Sequence, residues 1–291
     1  MSNPSRTTQF NRLEKVLKRH YTPVQPAADR PVLEQLLYAS CLEDAQYEKA
    51  DEAMARLQES FFDWNEVRVT TIAELSEEMN MLPAPSVAAT RLKQILQGVF
   101  EGQYSFDLEH LRKQNLGAAV KSLGKFPGTT PFVVAFVTQT ALGGHSIPLD
   151  RSTLSVLVLL DLVGQADADK NHVPGLERAV SKNKGVLFGS LLHRLGADFA
   201  ASPYSRRVRD ILVEIDPACR SRLPKRRAGK KSESASDDAK TDETSTPTPK
   251  ASAAKSPAGP RKRATAARSS PSSRPPRSKS STRRLARKKP R

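Results

Sequence analysis

Cysteine is scarce in this 291-residue chain, which contains only Cys41 and Cys219. Two cysteines cannot form the disulfide framework that stabilises small secreted domains. No cysteine and histidine residues have the spacing of a zinc or iron–sulfur site either. We therefore expect a cytoplasmic protein that needs no metal ion, iron–sulfur cluster or other cofactor.

Long hydrophobic runs are also missing. The longest mainly apolar stretch, residues 154–160, is far shorter than the roughly 20 residues that a membrane-spanning helix needs. Residues 1–10 lack the apolar core and basic flank of a signal peptide. The sequence thus indicates neither secretion nor insertion into a membrane.

Negative charge is the next deficit, because 31 acidic residues face 47 basic ones and the formal charge is +16. Residues 225–291 hold 21 of the basic residues and only five acidic ones, whereas the first 224 residues hold 26 of each. All of the excess therefore lies in the C-terminal segment. A polyanion is the expected partner, and double-stranded DNA is the one we favour.

The C-terminal segment lacks aromatic residues after Tyr204 and acidic residues after Glu243. A segment so rich in Lys, Arg, Ser and Pro cannot bury enough apolar surface to offset its ordering entropy, so we predict a disordered tail over residues 218–291. Its composition resembles the C-terminal arms of linker histones and bacterial nucleoid proteins. A solvated tail that only improves solubility is the alternative. The basic residues predicted to contact DNA are Lys225, Arg226, Arg227, Arg261, Lys262, Arg263, Arg283 and Arg284.

Apolar residues before the tail recur with a helical period, as in the stripe of Phe10, Leu13, Val16 and Leu17. About ten such segments are separated by Pro, Gly and Asn. Residues 156–159 could instead form a buried strand, but no partner strand is evident. We predict an all-α fold with two helical subdomains, in which residues 1–28 form an N-terminal segment and first helix and residues 29–217 form the main helical domain.

One tight turn stands out among the predicted helices. Phe126, Pro127 and Gly128 follow a short helix, and Thr130 with Pro131 then has the pattern of a cap and first residue of a new helix. Such a turn points backbone N–H groups outward beside a helix N-terminus, which favours phosphate binding. Pro148-Leu149-Asp150 follows about twenty residues later, and Asp150 could cap a further helix.

This hairpin, its spacing to Asp150 and the helical surroundings resemble the helix-hairpin-helix DNA glycosylases, the superfamily of endonuclease III and MutY, over residues 30–216. The resemblance implies that the hairpin binds the DNA backbone through Lys125, Gly128, Thr129 and Thr130. It also implies that a nucleotide is flipped into a cleft between two subdomains and that Asp150 lies beside its sugar. A carboxylate there stabilises the positive charge that develops when the glycosidic bond breaks.

Several positions depart from the family pattern. Phe132 stands where the bifunctional members carry a nucleophilic lysine, so strand cleavage is not expected. Ser40 replaces the glutamine that fills the space left by the flipped base, and with Tyr38 it is our candidate for the base pocket. Thr130 replaces the second glycine of the hairpin and Pro131 removes a backbone donor, so the grip on phosphate should be weaker.

Two functions remain open on this basis. The first is base-excision DNA repair by a monofunctional N-glycosylase, which the presence of Asp150 favours because each missing group is dispensable in some relatives. The second is a catalytically inactive, nucleoid-associated DNA-binding protein that keeps the fold and binds through the hairpin and tail. In a eukaryote either would be nuclear. The sequence does not reveal the lesion or the oligomeric state.

Overall fold

The computed structural model of the chain describes residues 6–27 and 29–225. Over these ranges the chain forms α-helices and two short 3-10 helices and contains no β-strand, which confirms the all-α prediction. None of these helices is long and apolar enough to cross a membrane. The predicted tail contacts from Arg226 onward lie outside the described residues.

The helices of the described ranges, in chain order, have the following bounds: α1 Arg6–His20, α2 Val32–Leu42, α3 Tyr47–Ser60, α4 Trp64–Val69, α5 Ile72–Glu78, α6 Pro85–Gln103, α7 Leu116–Leu123, α8 Pro131–Thr140, α9 Arg151–Leu159, α10 Gln165–Ala168, α11 Leu176–Ala179, α12 Lys182–Ala201 and α13 Arg206–Ile215. The two 3-10 helices are Glu109–Lys113 and Pro217–Ser221.

The first hydrophobic core is formed by α2 to α8. Its centre is α2. This helix is buried on all of its faces because α3, α6 and α8 pack against it. At the edge of this core α5 begins at a capping box, in which Thr71 and Glu74 bond to each other's backbone N–H. Local sequence signals therefore set the helix boundaries, and apolar burial holds the helices together.

The second core is formed by α1 and α9 to α13. The predicted stripe on α1 is buried here, and the Phe10 ring packs edge-on against Phe188 of α12. The 3-10 helix Pro217–Ser221 adds Cys219, and Leu223 is also buried. Packed structure therefore continues past residue 217, beyond the tail boundary that the sequence predicts.

Helices α9 and α12 cross closely within the second core. A Cβ atom built on Gly196 of α12 would lie 2.7 Å from Oγ1 and 2.8 Å from the backbone nitrogen of Thr153. Only glycine allows this approach, because any side chain would push α12 away from the N-terminus of α9. The crossing brings α12 next to Asp150, which lies three residues before Thr153.

We predict that Gly196→Ala lowers the free energy of unfolding by about 1–3 kcal/mol, because the added methyl group overpacks the crossing. Gly102→Ala is the matched control, since it lies in α6 and an added Cβ would have no atom within 4 Å. At that position the helix preference of alanine over glycine should raise the free energy of unfolding by about 0.5 kcal/mol. Urea unfolding of both variants measures the difference; equal effects would contradict the proposed close crossing.

Candidate functional site

The hairpin turn, residues 124–130, joins α7 to α8. Thr130 caps α8 and Pro131 is its first residue, as the sequence predicts. Gly128 has a φ of +86°, and a Cβ atom there would lie 2.8 Å from the carbonyl oxygen of Arg91. The turn therefore lies directly on α6, which requires glycine at this position, while the Lys125 side chain faces solvent.

Hydrogen bonds within the turn leave backbone donors free and engage the hydroxyl groups. The Thr129 hydroxyl donates to the carbonyl oxygen of Phe126 at 2.7 Å. The Thr130 hydroxyl donates to the Glu43 carboxylate at 2.9 Å and accepts from the Val133 N–H. Among the described residues no oxygen accepts from the N–H groups of Gly128 or Thr130. These two N–H groups are therefore the backbone donors of the turn that no protein oxygen engages within the described residues.

Glu43 secures the hairpin from the other side. Its carboxylate, at the end of α2, forms an ion pair with Arg91 of α6 at 2.6 Å and bonds Thr130 at the start of α8. Burial raises the pKa of Glu43, and the Arg91 guanidinium and Thr130 hydroxyl oppose that rise. Three helices thus meet at one carboxylate, which fixes the turn in place but also engages the Thr130 hydroxyl.

Asp150 occupies the predicted cap of α9. Its Oδ1 atom accepts from the Thr153 N–H at 2.8 Å. Its side chain is fully buried. A capping carboxylate on its own would normally face water, so the burial of Asp150 requires further partners.

Those partners come from two other parts of the chain. Oδ2 of Asp150 lies 3.0 Å from Nδ1 of His193 on α12 and accepts from the backbone N–H of Asp44 at 3.2 Å. Asp44 in turn accepts from the Ser152 N–H through its own side chain. The carboxylate therefore links the start of α9 to α12 and to the loop between α2 and α3.

The second ring nitrogen of His193 settles its protonation. Nε2 lies 2.8 Å from the carbonyl oxygen of Ala45, which can only accept, so Nε2 carries a hydrogen. The Nδ1 contact with Asp150 is stable only if a proton is also present between those two atoms. With a proton on each ring nitrogen, His193 is an imidazolium that faces the Asp150 carboxylate.

Electrostatics support this assignment. Burial alone would raise the pKa of Asp150, but the His193 charge and the hydrogen bonds from His193 and Thr153 outweigh it and lower the pKa to about 2. Burial would lower the pKa of His193, but the Asp150 charge and hydrogen bond and the Ala45 carbonyl raise it. Both shifts favour the ionised form of the pair, which is buried on all sides.

Aromatic rings enclose the pair. Phe132 stacks on His193 with ring centroids 5.5 Å apart, and Tyr47 meets the same ring edge-on at 5.1 Å. The cavity beside them has a volume of only about 10 Å³, which is room for no more than about one water molecule. A nucleobase has no space next to Asp150 in this conformation.

The comparisons with known proteins bear on the fold. No family model and no curated protein matches the sequence. A solved structure of endonuclease III, trapped with DNA as a covalent intermediate, matches with a TM-score of 0.50 and 14% identity over 66% of this chain and 85% of that chain. The chain has the DNA glycosylase fold of endonuclease III.

Two further glycosylase structures match less well. A thermostable thymine-DNA glycosylase matches at 15% identity and a TM-score of 0.48, covering 69% of this chain and 88% of that chain. An H. pylori 3-methyladenine DNA glycosylase matches at 14% identity and a TM-score of 0.42, covering 74% and 98%.

The two base-pocket candidates, Tyr38 and Ser40, lie in the protein interior and not at the surface. Ser40 is buried and its hydroxyl donates to the carbonyl oxygen of Leu36. Tyr38 is also buried; its ring lies 6.0 Å from that of Phe136, and the Arg30 guanidinium lies 4.0 Å from its ring centroid. Neither side chain faces an open pocket. The α2 stripe in which both lie is therefore a core stripe at these positions.

Two residues of the site, His193 and Asp44, are not evident from the sequence. His193 is one of five scattered histidines, and 43 positions separate it from Asp150. One signal does point to it: His193 lies between Leu192 and Leu195 on an apolar helix, and a histidine buried there needs a polar partner. Among the described residues no group of three or more His, Cys, Asp or Glu side chains is placed to hold a metal ion.

We predict that Asp150→Asn lowers the free energy of unfolding by about 3 kcal/mol, because the amide keeps the cap on Thr153 but leaves His193 without its counter-charge. Asp63→Asn is the matched control: Asp63 caps α4 by the same bond to an N–H, 2.9 Å from Glu66, without an ion pair. Asp63→Asn should lower the free energy of unfolding by less than about 0.5 kcal/mol. Chemical denaturation of the two variants measures both costs, and similar values would argue against the ion pair.

We also predict a pH signature for His193. Because its pKa is raised in the folded state, its contribution is complete below the ordinary value of 6.5 and is lost as pH rises through the folded-state pKa. The Asp150 contribution is present above 3.8 and is lost towards pH 2. The stability difference between wild type and His193→Gln should therefore fall above pH 6.5, by up to about 1.4 kcal/mol per pH unit. Parallel pH curves for the two proteins would refute this.

Proposed function

We propose that this chain is a DNA-binding protein that keeps the endonuclease III fold without excising bases. The enclosed Asp150 carries this proposal. The sequence favours an active glycosylase because the aspartate is present, whereas the geometry around Asp150 favours the inactive alternative.

Base excision requires a carboxylate that faces the sugar while positive charge develops there. In this chain the Asp150 carboxylate already faces the imidazolium of His193, and its oxygens also accept the N–H groups of Thr153 and Asp44. A substrate would have to replace these partners and expose His193 at the same time. In a glycosylase the carboxylate faces the positive charge that develops on the sugar during the reaction. In this chain the His193 imidazolium occupies that position beside Asp150 in the folded protein.

The space for a flipped base is also filled. Phe132 and Tyr47 cover the imidazole of His193, and the cavity beside them has room for no more than about one water molecule. The resemblance to the glycosylases implies a cleft beside Asp150 that could hold such a base. The aromatic packing supports a protein that leaves the bases of DNA in place.

Binding to duplex DNA rests on two features. The hairpin turn presents the N–H groups of Gly128 and Thr130 beside the N-terminus of α8, with Lys125 exposed nearby. Endonuclease III, which shares the fold, was solved in complex with DNA. The basic residues from Lys225 onward add sequence-independent affinity, because each phosphate that they neutralise releases a counterion. We infer an association with chromosomal DNA.

The test is a glycosylase assay with the full chain in excess over duplexes that contain uracil, 8-oxoguanine, an alkylated adenine, thymine glycol or a G·T mismatch. Alkali then cleaves any abasic site, and a glycosylase known to act on each duplex is run in parallel. We expect no product from any duplex and affinities within about threefold of undamaged DNA, because no lesion can enter a pocket. Base release by the wild-type chain from any of these duplexes would overturn the proposal and establish the glycosylase alternative.

A further inference from the structure

Charge is unevenly distributed within the folded part of the chain. Residues 6–20 and 206–225 together carry eleven basic and four acidic residues, whereas residues 21–205 carry 16 basic and 22 acidic ones. The first group thus has a net charge of +7 and the second of −6. The hairpin turn belongs to the negative part, so the net charge of the fold does not by itself direct a polyanion towards it.

The two basic segments lie side by side. Arg12 on α1 donates to the carbonyl oxygen of Glu214 on α13 at 3.2 Å, and Arg207 on α13 donates to that of His20 at 3.0 Å. Arg12 also lines one groove together with Arg222. We call the surface formed by α1, α13 and residues 217–225 the α1–α13 face.

Acidic neighbours neutralise only part of this face. Each of its four acids pairs with a cation of the same face; the pairs are Glu14–Lys18, Glu214–Arg19, Asp210–Arg206 and Asp216–Arg222. Seven further cations have no carboxylate partner among the described residues, namely Arg6, Arg12, Lys15, Arg207, Arg209, Arg220 and Lys225. The arginines of this group that form hydrogen bonds donate to neutral carbonyl oxygens, so their charge remains uncompensated.

The face also leads directly into the basic tail. Arg209 donates to the carbonyl oxygen of Pro224 at 3.0 Å, which holds the end of the described chain against α13. Lys225 follows at once and is exposed. On α1 the exposed Lys15 follows Arg12 by three residues and precedes Arg19 by four, so these side chains lie along one helix face.

We propose that the α1–α13 face is a second DNA-binding surface, separate from the hairpin, that holds the phosphate backbone where the tail begins. This inference rests on the proposed binding to DNA. Attraction between exposed charges acts over about 8–10 Å at physiological salt, so a duplex near this face meets seven uncompensated cations, whereas its four acidic residues are already paired. The hairpin then contributes short-range hydrogen bonds, and the face contributes counterion release.

The test compares two triple variants of the full chain that remove the same charge. Lys15→Gln, Arg220→Gln and Lys225→Gln alter the face, whereas Lys113→Gln, Lys170→Gln and Lys184→Gln alter other surfaces. All six side chains are exposed and make no hydrogen bond or ion pair within the described residues. Fluorescence anisotropy with a labelled 20-base-pair duplex gives the affinity of each protein as a function of salt.

Each phosphate contact adds about 0.9 to the slope of log affinity against log salt, so the face variant should lose about 2–3 from that slope and at least tenfold in affinity. The control variant should keep the wild-type slope to within about 0.5. Equal losses in both variants, or a face variant that binds like wild type, would overturn the second surface and leave the proposed function standing. A wild-type chain that binds no duplex would overturn both.

Discussion

The buried ion pair between Asp150 and His193 is the interaction on which the rest of this structure depends. A carboxylate removed from water is costly unless it is neutralised and fully hydrogen-bonded. Asp150 meets that requirement by drawing together the start of α9, the middle of α12 and the loop after α2. The two hydrophobic cores are therefore joined at this ion pair.

The features that the sequence predicts correctly depend on neighbouring residues. The stripe on α1 and the start of α8 at Thr130 each involve positions within a few turns of one another. The resemblance to the glycosylases also depends on short spacings, from the hairpin to Asp150. Local patterns of this kind were enough to identify the fold, which the match to endonuclease III confirms.

What escaped prediction arises from contacts between distant parts of the chain. Nothing near Asp150 in the sequence indicates that His193 neutralises it, and nothing near Thr130 indicates that Glu43 engages its hydroxyl. Composition placed all the excess charge in the tail, which is correct as a total. Composition could not show that the first 224 residues, which are neutral in total, contain a basic face and an otherwise acidic surface. That division appears only when α1 lies beside α13.

The second core contains helices from both ends of the folded chain, α1 and α13. This arrangement determines the order in which the helices can pack during folding. The first core is formed by residues 32–141, so its helices can pack as soon as that stretch has been synthesised. Helix α1 must wait for α13, since Arg12 and Glu214 are 202 positions apart. During synthesis the apolar stripe of α1 therefore remains without its partners while most of the protein emerges. Early collapse of the first core and late docking of α1 follow from this topology.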